Sequence, residues 1–88
     1  MSNHPTTLTH RPLAALGAVV TECVPGFAGD WKSALKAILR RQAVVAWAEF
    51  DVLSGSSQKD LPAIVAEAER LADAAAVCRS QIEQRSTT

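Results

Sequence analysis

The sequence predicts an all-α protein, with three helices arranged as a short N-terminal helix packed on a long antiparallel helical hairpin and open to dimerisation into a larger bundle. Three observations predict it. Trp31, Leu35, Ile38, Gln42, Val45, Glu49 and Val52 recur at alternating steps of four and three, which places them on one helical seam. Leu61, Ile64, Ala68, Leu71, Ala75, Cys78 and Ile82 repeat the pattern. Between the two runs, Gly55-Ser56-Ser57-Gln58-Lys59 is long enough only to reverse the chain.

In chain order, residues 1–8 are polar, Thr-rich and contain Pro5, the composition of a disordered tail. Residues 9–85 read as one helical domain. Thr9 is a candidate cap for a first helix over about 10–24, with Pro12 tolerated in its first turn. Leu13, Leu16, Val20 and Cys23 form its apolar stripe, and Phe27 continues the spacing. Pro25-Gly26 ends it. Asp30 is a strong N-cap for a second helix over 31–54, and Gly55 supplies its C-cap. Asp60 caps a third helix over 61–84, with Pro62 in the first turn. Glu67, Glu69 and Asp73 fall in its first half and Arg79 and Arg85 later, an order that suits the helix dipole. Residues 86–88 are expected to fray. If the hairpin folds about residue 57, Ile38 comes level with Ala75 or Ala76 and Trp31 with Ile82 or Glu83. Large side chains on the second helix then oppose small ones on the third.

Composition narrows the function classes. Eighty-eight residues make one domain, and 16 of them are Ala, so the core is thinner than the 48% hydrophobic content suggests. A thin core with high helix propensity is typical of chains that complete themselves on a partner or a second copy. A formal net charge of zero argues against a dedicated nucleic-acid binder, whose affinity comes mainly from neutralising phosphates. No run of 18 apolar residues occurs, so no membrane span is expected. The N-terminus lacks a basic segment followed by an apolar core, which makes cytoplasmic the default location. The Ala, Val and Arg usage suggests a GC-rich bacterial genome.

Few residues are candidates for chemistry. Gln42 and Glu49 interrupt the apolar seam of the second helix. Side chains reaching the seam's edge explain them, and a role in fixing register is the alternative. Cys23 and Cys78 are expected at the same end of the bundle as free, buried thiols; their spacing is not that of a redox or zinc motif. His4 and His10 lie in or beside the tail, away from any cluster that could bind zinc. Phosphate loops, zinc-protease helices, nucleophile elbows and calcium loops are all missing from the sequence. We expect no catalytic residues, no metal and no cofactor.

Trp47 is the sharpest anomaly. It points away from Trp31 and Leu35, and with Val44 and Ala37 it makes a second apolar strip on the second helix. One helix–helix contact cannot bury both faces. Either the first helix covers this strip or another chain does. Lys32, Lys36, Arg40 and Arg41 form a basic stripe nearby, expected to pair with Glu67, Glu69 or Asp73 across the hairpin. The expected function is therefore a small protein-binding regulator, adaptor or inhibitor. Its partner-binding residues are Trp47, Val44, Ala37, Lys36 and Arg40, and its partner is another protein or a second copy. A nucleic-acid-binding regulator using the basic stripe, and a helical subunit of a larger secretion or phage assembly, are the alternatives.

Overall fold

The computed structural model describes residues 13–86 and consists there of α1 (Leu13–Cys23), α2 (Trp31–Leu53) and α3 (Leu61–Ser86). α2 and α3 form the long antiparallel hairpin, and the short α1 packs on it. At about 1.5 Å per residue the two long helices extend roughly 34 and 39 Å. The expected cap at Thr9, the helix start at residue 10 and the tail over 1–8 lie outside the described residues.

Each boundary has a local cause. At the end of α1, the Val24 N–H still donates to the Val20 carbonyl at 2.8 Å, and Gly26 then takes φ +85°, where a side chain would be strained. Phe27, which continues the spacing of the stripe beyond the end of the helix, sits in the connecting loop, as expected. It packs on the core with its ring 4.7 Å from the Trp31 ring. Asp30 caps α2 in both senses: one carboxylate oxygen accepts the Ser33 N–H at 3.1 Å, and the other accepts the Ser33 hydroxyl at 2.7 Å. These bonds favour the ionised form and hold the Asp30 carboxyl below its ordinary value.

α2 ends in a Schellman motif. The Ser56 N–H reaches back to the Asp51 carbonyl at 2.8 Å and the Gly55 N–H to the Val52 carbonyl at 3.0 Å, with Gly55 at φ +82°. Two orphan carbonyls are thereby satisfied and the chain is turned toward α3. The Asp60 carbonyl accepts the Ile64 N–H at 3.1 Å to start that helix. α3 runs through the expected end at Gln84 to Ser86, whose hydroxyl donates to the Ile82 carbonyl at 3.0 Å.

The core lies along α3, between α2 on one side and α1 on the other. Ala34, Ile38 and Val45 enter it from α2, Leu71, Ala74, Ala75, Val77 and Cys78 from α3, and Val19 and Val20 from α1. The buried positions on α3 are wider than one seam: Ala74 and Val77 lie off the 61-to-82 register because α3 has a neighbour on each side. Trp31, Leu35, Ile64 and Ala68 are half-buried and pack against this cluster. Gln42 and Glu49 are also half-buried, at the margin of the seam. Trp31, Ile82 and Arg85 line one crevice at the open end of the hairpin, the level at which Trp31 and Ile82 were expected to meet.

Candidate functional site

Among the described residues, no three or more His, Cys, Asp or Glu side chains are placed to hold a metal ion, and no helix is long and apolar enough to cross a membrane. The two thiols are free; Cys78 is fully buried and Cys23 half-buried. Burial pushes both up from the ordinary thiol value. The charge of Cys23 adds to the rise at Cys78, so the two lie near enough to interact electrostatically. Cys23 sits in a crevice with Arg41, Glu67, Arg70 and Leu71. Arg70 there opposes the shift of Cys23 but does not reverse it.

The outer surface of α2 is the unusual feature. α1 packs on α3, so it leaves the strip around Trp47 uncovered. Trp47 is 66% exposed, Phe50 57%, Leu53 68%, Val44 53% and Leu39 41%. The Trp47 and Phe50 rings meet edge to face with centroids 5.6 Å apart, and with Ala43 and Ala46 they line a shallow apolar depression. Monomeric proteins rarely expose a contiguous apolar patch of this kind unless something binds it.

All five residues expected to bind a partner are exposed on α2. They fall within an arc of about 100° around the axis of α2. Val44 and Ala37 lie on one side of Trp47, while the larger apolar area lies on its other side, over Leu39, Ala43, Ala46, Phe50 and Leu53. Those five residues escaped the sequence reading, although their signal is visible there. They step by four, three, four and three, and each directly follows a position of the inward seam: Ile38, Gln42, Val45, Glu49, Val52. α2 thus carries two parallel apolar seams about 100° apart around its axis, and the first hid the second.

Of the basic stripe, Arg41 turns inward to the hairpin. Its Nε donates to Glu67 Oε2 at 2.9 Å and its Nη2 to the same oxygen at 2.8 Å. This pair crosses from α2 to α3 as expected for the stripe, at a site wet enough that its worth is at most about 1 kcal/mol. Lys32, Lys36 and Arg40 are exposed on the outer surface.

No protein-family model matches the chain, and no curated protein or solved structure matches it. The class of protein is therefore defined by the fold and this face together: a three-helix chain built on a long hairpin, with a second apolar seam facing outward on the hairpin's first arm.

Proposed function

We propose that the chain is a non-catalytic protein-binding module, a small regulator, adaptor or inhibitor, and that it acts through the outward face of α2. The observation that carries this reading is the exposed cluster of Trp47, Phe50, Leu53 and Leu39 on one rigid helix. Trp is enriched among the few residues that dominate binding energy, and such anchors work best surrounded by contacts that exclude water. Ala43 and Ala46 lie low between the large side chains, so the face has relief into which a partner's side chains fit. Lys36 and Arg40 border it and supply a charged rim.

The test is affinity capture from host extract with wild-type and Trp47→Glu baits, read beside far-UV circular dichroism. A polypeptide held by the wild type and lost from a normally helical Trp47→Glu chain supports the reading. Equal capture by both baits, or a Trp47→Glu chain that unfolds, removes Trp47 from the interface. Lys32, Lys36 and Arg40 favour a second reading, nucleic-acid binding, which predicts salt-dependent association with duplex DNA. Absence of binding at low salt eliminates it.

A further inference from the structure

We propose that the occupant of the α2 face is a second copy of this chain, packed with its own α2 antiparallel to the first. This deepens the protein-binding reading and rests on it. Three features of the face favour a copy of itself.

The first is shape. Four of the five seam residues divide into two small ones, Ala43 and Ala46, followed by two large ones, Phe50 and Leu53. An antiparallel pairing centred near residue 48 sets Ala46 against Phe50 of the second copy and Ala43 against its Leu53. Symmetry repeats both layers in reverse. All four layers then join a large side chain to a small one, the arrangement that lets two helices approach closely with interdigitated side chains. The alternating four-and-three spacing is the periodicity such a seam needs. The two Trp47 side chains flank the two-fold axis on one side. Because the axis maps the patch onto itself, the same residues serve both copies, as an isologous interface requires. Leu39 extends the seam over the second copy's turn.

The second is charge. The outer surface of α2 is basic over its first half, at Lys32, Lys36 and Arg40. Its acidic residue, Asp51, is in the second half, with Asp60 just beyond the helix; Lys59 in the turn is the exception. The C-terminal end of α2 also carries the negative pole of the helix dipole. In the register centred near residue 48, Lys36 comes level with Asp60 of the second copy and Arg40 with its Ser56, so the basic half of each copy lies at the negative end of the other's helix. Parallel pairing would stack like on like.

The third is area. With aromatic rings contributing about 150–250 Å² each when fully covered, the exposed parts of Leu39, Trp47, Phe50 and Leu53 with Ala43 and Ala46 amount to roughly 600 Å² per copy. Two copies together remove roughly 1,200 Å², the lower end of the range for stable, specific interfaces.

The first measurement is mass in solution by light scattering on a sizing column, across a concentration series of the full chain. We expect a dimer at high concentration that shifts toward monomer on dilution. Ala46→Glu, an exposed position on the seam, should weaken the dimer at least a hundredfold with helicity unchanged, and Ala43→Glu should do the same. A wild-type monomer at every concentration overturns the proposal, and so does a dimer indifferent to both substitutions. Orientation is read with a spin label on Lys32→Cys in a Cys23→Ser background. Antiparallel pairing separates the two labelled backbones by about 48 Å along the axis, and side-by-side labels overturn it. If the wild type is a monomer yet captures a polypeptide through Trp47, self-association falls and the binding reading stands. If it neither self-associates nor captures through Trp47, both fall.

Discussion

Leu71 and Ala75 show how differently two neighbouring core positions respond to volume. Leu71 is 2% exposed and Ala75 fully buried, on the face of α3 turned to the rest of the core. Leu71→Ala should cost about 2–5 kcal/mol, through lost burial and the cavity left behind. That is a large share of the stability of a domain this small, so its thermal melt should shift far down or vanish. Ala75→Leu should cost about 1–3 kcal/mol by overpacking the close approach of the helices. Both are checked by chemical denaturation, and a near-native midpoint for either would move that residue out of the core. Cys23 and Cys78 make a prediction about pH. Burial raises both thiols in the folded chain, so folding favours the protonated form. The stability they lend is complete below the unfolded thiol value, about 8.5, and is lost as pH rises through the folded values. The melting temperature should fall across this alkaline range more steeply in the wild type than in a Cys23→Ser, Cys78→Ala chain.

At the scale of the element, the ends of α2 were readable because capping is local chemistry. Asp30 followed by Ser33 can satisfy the first-turn N–H groups wherever the helix packs, and a Gly after the last periodic residue can take a positive φ in any fold. Gly55→Ala tests the second point cleanly. No atom lies within 4 Å of where its Cβ would be, so the substitution brings strain at φ +82° without a clash. We expect a loss of about 1–2 kcal/mol, measured by urea unfolding with an unchanged m-value. The expected pairing of the basic stripe was legible in part. Arg41 sits at the inner edge of the wheel and reaches Glu67, whereas Lys32, Lys36 and Arg40 lie further around it. The outward seam was present in the sequence but hidden. Leu39 and Phe50 could belong to a broad inward face or to a separate outward one, and periodicity alone does not say how wide a buried face is.

For the molecule as a whole, the placement of α1 decides what the protein can do. On α3 it buries Ala74 and Val77 and leaves Trp47 in solvent; over α2 it would have closed the face. If two copies close the face instead, burial of that surface belongs to the dimer, and stability becomes linked to concentration. The melting temperature of the wild type should then rise over a hundredfold increase in concentration, while that of Ala46→Glu stays constant. Scanning calorimetry at several concentrations provides the check.

The sequence by itself determined the three-helix class, the position of the reversal, the caps of α2 and the inward seam. Each of these rests on the chemistry of residues a few positions apart. Only the tertiary structure decided which helix α1 would cover. Both long helices have apolar positions beyond their shared seam, at Ala74 and Val77 on α3 and at Leu39, Phe50 and Leu53 on α2. Local propensity ranks neither as the better neighbour for a short apolar helix. The choice depends on how side chains from distant segments fill one space. It buries Val19 and Val20 with α3 and leaves the aromatic face of α2 outward.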